Sequence, residues 1–200
     1  MTNSVDAGRF DGRTIIVTGA GSGIGKATAV RLLREDARVI ASDISQPRLD
    51  ELATESATDR LVTVSGDVSA QADVDKIVAA AGDRVDGLVN NAGIMDAFLP
   101  TAEITDEMWD RVMGINLTAQ MRLIRAVLPT MIDAEFGRIV NLASEAGIKS
   151  GASGTTYSVS KHGVIGLTKS TALFYGPKGV RCNAVAPGAV MTNIEAPFQS

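Results

Sequence analysis

Tyr157 and Lys161 stand four residues apart in Tyr157-Ser-Val-Ser-Lys161, and Ser144 lies thirteen residues upstream. On a helix, positions four apart share a face and lie roughly 6 Å apart along the axis, so the ammonium can stabilise a phenolate. Such a pair moves protons. A free tyrosine titrates near pH ~10 and one unit corresponds to about 1.4 kcal/mol, so transfer near neutrality asks for roughly 3–4 kcal/mol of phenolate stabilisation. In a partly dry cleft, Lys161 and a bound cation can supply it. The Ser144 hydroxyl then hydrogen-bonds a substrate oxygen and holds it against the phenol. Taken alone, the same spacing also describes an amphipathic tyrosine beside a snorkelling lysine on a surface helix.

A second constellation lies near the start of the chain. Thr18-Gly-Ala-Gly-Ser-Gly-Ile-Gly25 follows the apolar run Thr14-Ile-Ile-Val17 and precedes Lys26-Ala-Thr-Ala-Val-Arg-Leu-Leu33, which has helical spacing. Strand, glycine turn and helix N-terminus in that order let backbone N–H groups and the helix dipole receive a pyrophosphate. Gly19, Gly23 and Gly25 read as Gly-x-x-x-Gly-x-Gly, with Gly21 added, which differs from the usual dinucleotide fingerprint.

The elements that position these residues follow from apolar runs separated by helical stretches, the βαβ signature of a parallel sheet covered on both faces. Strands are predicted at 14–18, 38–42, 61–64, 87–90, 138–142 and 180–185, and helices at 23–35, 47–54, 70–81, 106–131 and 155–175. The fold class is α/β, a doubly wound parallel sheet of the Rossmann type in three α/β/α layers, with ligands at the carboxyl ends of the strands. No repeat or domain boundary is visible, so residues 1–200 read as a single domain.

Thr18-Gly-x-x-x-Gly-x-Gly25, Asn90-Asn-Ala-Gly93, Asn116, Ser144, Tyr157-x-x-x-Lys161 and Pro187-Gly188 occur in the order and spacing of the short-chain dehydrogenase/reductase family, which the chain resembles over residues 10–195. The resemblance implies a dinucleotide cradle of Gly19, Ser22, Gly23, Ile24 and Gly25, then Asp43 and Ile44, then Asp67 and Val68 beside the adenine. It adds Asn90, Ala92 and Gly93 after the fourth strand, and the segment Pro187, Gly188, Val190 and Thr192, with Val190 meeting the carboxamide and Thr192 the pyrophosphate. Asn116 is implied to support a water that links Lys161 to a proton path, and Lys161 also to bond the nicotinamide ribose. Asp43 closes the second strand, where a carboxylate accepts ribose hydroxyls and repels a 2′-phosphate. Ser22 occupies a position where phosphate-preferring relatives often carry a basic residue. The expected cofactor is therefore NAD rather than NADP.

Composition narrows the remaining classes. The 200 residues are 45% hydrophobic with a net charge of −4 and few aromatics, which suits a globular domain without a nucleic-acid surface. Cys182 is the single cysteine, set in Val180-Arg-Cys-Asn-Ala-Val185, and reads as a core thiol. No His/Cys/carboxylate cluster has metal-ligand spacing. His162, the one histidine, follows Lys161 and points about 100° from its face. Met108, Met113 and Met121 read as helix packing. The N-terminus lacks a cationic start and apolar core, and no window approaches a membrane span, so a cytoplasmic location is expected.

The sequence thus points to an NAD(H)-dependent oxidoreductase acting on a small-molecule secondary alcohol or ketone, with Asn116, Ser144, Tyr157 and Lys161 in the chemistry. A 3-oxoacyl-thioester reductase, and a dinucleotide-binding regulator or scaffold without turnover, are the alternatives. The substrate wall falls on Met95-Asp-Ala-Phe98, Glu145-Ala-Gly-Ile-Lys149 and residues 150–156. Family members usually continue with a lid helix pair and a seventh strand, so the expectation is a truncated or partial product. Its sixth strand would be an apolar edge, and the full protein a homo-oligomer, dimer or tetramer, paired through helices 106–131 and 155–175.

Overall fold

The computed structural model describes residues 8–149, 151–192 and 194. Ser150 of the expected pocket wall and residues 195–200 lie outside them. Six parallel strands, β1 (Thr14–Thr18), β2 (Arg38–Asp43), β3 (Leu61–Ser65), β4 (Gly87–Asn90), β5 (Gly137–Leu142) and β6 (Val180–Val185), pair in the order β3-β2-β1-β4-β5-β6. The intervening helices are α1 (Gly23–Arg34), α2 (Gln46–Ser56), α3 (Gln71–Ala81), α4 (Asp106–Met113), α5 (Ala119–Asp133) and α6 (Thr155–Tyr175).

Alternation within the strands builds two cores. Ile15 and Val17 face one way and join Val39, Ala41, Leu32, Leu49 and Leu52 under α1 and α2. Ile16 and Ile40 face the other way and join Leu88, Ile139, Ile77, Leu123 and Met131 under α3 and α5. Because successive side chains leave a strand on opposite faces, an unbroken apolar run is what a sheet covered on both faces requires. The result is the three-layer α/β/α sandwich. Strand order reverses at β1, whose neighbours are β2 and β4, and that switch opens a crevice at the carboxyl ends.

One expectation is corrected here. The helix expected over 106–131 is interrupted, because residues Gly114–Thr118 wind as a π-helical turn between α4 and α5. A π turn places an extra residue in the backbone circuit and recurs at functional sites; here it carries the buried Asn116. The sixth strand lies at the edge of the sheet, paired with β5 alone. Its alternation turns Val180 and Cys182 into the core and Arg181 and Asn183 outward, and both Ala184 and Val185 at its end are exposed. Burial pushes the Cys182 thiol up to about 11, which leaves it unreactive. No described helix is long and apolar enough to cross a membrane.

Candidate active site

The glycine turn is held open by its neighbours. Asn91 donates its amide to the carbonyls of Thr18 (3.0 Å) and Gly19 (3.1 Å), and the Thr18 hydroxyl accepts the N–H groups of Asn91 and Ala92, each at 3.1 Å. These bonds lash the ends of β1 and β4 together. Helix α1 starts just beyond, with no acidic residue in its first turn and no side-chain cap from Ser22, so its first N–H groups and the positive end of its dipole face the crevice. The Asp43 carboxylate closes this end, accepting from Gly21 N–H (2.9 Å) and Ser45 N–H (3.0 Å). A Cβ on Gly21 would stand 2.8 Å from Asp43 Cγ and 2.7 Å from Arg48 Cβ.

From Asp43 the cleft runs across the sheet to Tyr157, with a volume of about 580 Å³. Such a volume suits a cofactor or ligand site. Gly19, Ser22, Gly23, Ile24, Asp43, Ile44, Asp67, Val68, Ala92, Gly93, Pro187, Gly188, Val190 and Thr192 all line it, as do Ser144, Tyr157 and Lys161. Thr192 closes over the glycine turn, its Cβ 3.0 Å from where a Gly23 side chain would begin.

Three expected site residues lie behind the wall. Gly25 is a packing position, since a Cβ there would stand 2.0 Å from the Gly19 carbonyl. Asn90, the last residue of β4, points sideways into the sheet and donates to Asn141 Oδ1 at 2.9 Å; Asn91 faces the glycine turn in its place. Asn116 is fully buried. Its amide accepts Ile94 N–H (2.9 Å) and donates to the Ile94 carbonyl (3.0 Å) and Ser160 Oγ (3.2 Å). Arg48, Asn91, Arg111 and Ile115 also line the cleft and were not singled out from the sequence. Of these, only Asn91 sat inside a motif that could have flagged it.

At the other end, α6 presents Tyr157 and Lys161, and the segment after β5 presents Ser144. The Ser144 hydroxyl accepts Ala146 N–H at 3.2 Å, which fixes it at the end of the strand. Burial raises the Tyr157 phenol above its usual value, a hydrogen bond with Ser144 opposes this, and the Asp96 charge adds to the rise. The Lys161 ammonium is 5.4 Å from the tyrosine ring centroid and donates to the Leu142 carbonyl at 2.8 Å. Burial pushes this lysine down to about 8. The sequence leads one to expect Lys161 to depress the phenol; in the folded chain burial and the Asp96 charge raise it, Ser144 alone opposes the rise, and burial lowers Lys161 itself. His162 is exposed, with Nδ1 2.9 Å from the Ser158 carbonyl on its own helix. Among the described residues no group of His, Cys, Asp or Glu is arranged to hold a metal.

Residues 13–200 match the short chain dehydrogenase family. The chain belongs to that family. It is 44% identical over 180 residues to the short-chain dehydrogenase/reductase cdmF of Talaromyces verruculosus, covering 90% of this chain and 70% of the relative. Levodione reductase superposes with a TM-score of 0.89 at 40% identity, over 93% of this chain and 75% of that one. An NAD-bound 3-oxoacyl-[acyl-carrier protein] reductase from Brucella melitensis gives 0.88 at 32% identity, over 94% and 74%. As a short-chain dehydrogenase, the protein is an NAD(P)-binding oxidoreductase.

Proposed function

We propose that this short-chain dehydrogenase interconverts a secondary alcohol and a ketone with NAD(H), using Tyr157 as the proton carrier. The convergence of the Tyr157 phenol, the Ser144 hydroxyl and Lys161 on one wall of the dinucleotide-sized cleft carries this reading. The open N–H groups of α1, the Asn91-braced turn and the space kept by Gly21 and Gly23 fit a pyrophosphate. Asp43 and Ile44 would receive the adenosine ribose, and Asp67 and Val68 the adenine. When bound, the nicotinamide supplies the acceptor or donor of a hydride.

The chain's own groups handle the proton. In oxidation the ionised Tyr157 oxygen would take the substrate hydroxyl proton as hydride leaves the carbinol carbon, and the phenol would carry that proton away. In reduction the neutral phenol returns a proton to the forming alkoxide. Ser144, beside the phenol, orients the reacting oxygen. Lys161, on the next turn, would bond the nicotinamide ribose, and its charge stabilises the phenolate once a second cation is in place. Asn116 holds Ile94 and, through Ser160, the helix that carries both residues.

NAD is preferred over NADP because the Asp43 carboxylate occupies the position a 2′-phosphate would approach. An acyl-thioester substrate is the second reading, supported by the likeness to the Brucella reductase. The apolar groove between α5 and α6, lined by Ile124, Leu128, Ile132, Leu167 and Tyr175, supports self-association through these helices, which gel filtration tests. For the reaction itself, Tyr157→Phe decides. NADH absorbance with alcohol and ketone panels should register a loss of about 10²–10⁴-fold in turnover with dinucleotide affinity retained. A variant keeping more than about a tenth of the rate rules this mechanism out.

A further inference from the structure

Tyr157 is held by its own backbone as well as by its helix. Asp96, in the loop after β4, is 1% exposed and accepts three N–H groups. Its Oδ1 receives Phe98 N–H (3.2 Å) and Gly154 N–H (3.1 Å), and its Oδ2 receives Tyr157 N–H (2.9 Å). Gly154 is the residue before α6 and Tyr157 the third residue inside it, so these are donors that a helix N-terminus leaves without intrahelical partners. Helix α6 has no acidic residue in its first turn and no side-chain cap of its own. Its cap comes from a different segment of the chain.

On the other side of the same residue, the Tyr157 carbonyl accepts the Ser160 hydroxyl at 2.7 Å. Ser160 Oγ in turn accepts from Asn116, whose amide grips both backbone groups of Ile94. Ile94 lies two residues before Asp96. The hydrogen bonds close a ring that runs Ile94, Asp96, Tyr157, Ser160, Asn116 and back to Ile94. Gly154 is shaped to this ring, since a Cβ there would stand 2.5 and 2.7 Å from the two Asp96 oxygens and 2.7 Å from Leu99 N.

We infer that Asp96 is a positioning residue of this enzyme, its buried carboxylate fixing the backbone of the proton carrier Tyr157 to the Ile94–Asn116 platform that flanks the cleft. This rests on the assignment of Tyr157 as proton carrier. Only a carboxylate suits the place. Both of its oxygens face N–H donors, so an asparagine would turn its NH₂ group against one of them and leave that donor unpaired. The set of bonds acts on the tyrosine's placement and does not reach the phosphate end of the cleft at Gly19–Asp43.

Asp96→Asn and Gly154→Ala test this from two directions, the first removing one acceptor and the second crowding the carboxylate without changing its charge. Each should lower kcat by about tenfold or more, as expected when a reacting group is displaced by a fraction of an ångström to an ångström. KM for the alcohol and the Kd for NADH should stay within about threefold of the unmodified protein. A folded variant that turns over normally overturns the inference. So do kcat and dinucleotide affinity falling together, or failure of both variants to fold, because each makes Asp96 a general folding residue. Tyr157→Phe is measured alongside. If it remains active the proton-carrier assignment itself has failed, whereas an inactive Tyr157→Phe beside a fully active Asp96→Asn removes only the role of Asp96.

Discussion

The ammonium of Lys161 donates to the carbonyl of Leu142 across 2.8 Å, at a position where the lysine is 3% exposed. One backbone carbonyl replaces only part of the hydration an ammonium loses on burial, which is why burial pushes this lysine down to about 8 from its ordinary value of 10.5.

The consequence is a pH-dependent stability with a definite sign. Below the folded value of about 8, folded and unfolded chains both carry the proton, and folding bears the full cost of burying the charge. Between there and 10.5 the unfolded chain still holds a proton that the folded chain has released, so stability rises with pH through this window. Urea unfolding of the unmodified protein and of Lys161→Met should therefore give a difference that moves in favour of the unmodified protein as pH rises from 7 to 10.5. The change should be on the order of 3 kcal/mol. A difference that stays flat with pH means that Lys161 is not desolvated as described.

Asp43 has two tasks, because the carboxylate that would receive ribose hydroxyls also accepts Gly21 N–H at 2.9 Å. Fluorescence titration should give NADH binding at least about tenfold tighter than NADPH, equivalent to about 1.4 kcal/mol. Asp43→Ala should narrow that ratio and also weaken NADH, since the glycine turn loses an anchor. Equal affinities for the two dinucleotides in the unmodified protein would remove the claimed preference.

The strands at residues 14–18, 87–90 and 180–185 coincide with the sequence reading, because short apolar runs bounded by glycine and polar residues have few alternatives. Helix ends drifted by a residue or two, as frayed ends do. What the chain could not disclose is direction. Asn90 and Asn91 are adjacent and chemically identical, yet one points to β5 and the other back to the glycine turn, and only the register of β4 against β5 decides which. Asn116 was legible as a buried amide in need of partners. The π turn that brings it to Ile94 was not, because no local signal separates that turn from the helix on either side. Asp96 lay in plain view within Met95-Asp-Ala-Phe98, but its partners Gly154 and Tyr157 are about sixty residues away.

Replacing Asn116 tests the cost of that hidden arrangement. In Asn116→Leu the buried N–H and carbonyl of Ile94 lose their partners together, and each unsatisfied group costs about 1–3 kcal/mol. Unfolding in urea should show a loss of about 2–6 kcal/mol, with turnover falling as the ring beneath Tyr157 opens. Unchanged stability would mean that Ile94 finds other partners.

Two glycines that look alike in sequence should respond in opposite ways to the same substitution. Gly25, in the first turn of α1, has no room, for a methyl group there would stand 2.0 Å from the Gly19 carbonyl and 2.5 Å from the Asn91 amide. Gly25→Ala must push α1 away from the turn, so it should destabilise the chain and weaken NADH binding together. Gly166, in the middle of α6, is exposed and meets nothing within 4 Å. Alanine there removes the entropic penalty of glycine inside a helix, and Gly166→Ala should raise stability by about 0.5–1 kcal/mol. It lies five residues beyond Lys161 on the outer side of the helix, so turnover should stay unchanged. Thermal unfolding and NADH titration of the pair check both signs; a destabilised Gly166→Ala would place that face of α6 against a second molecule in solution.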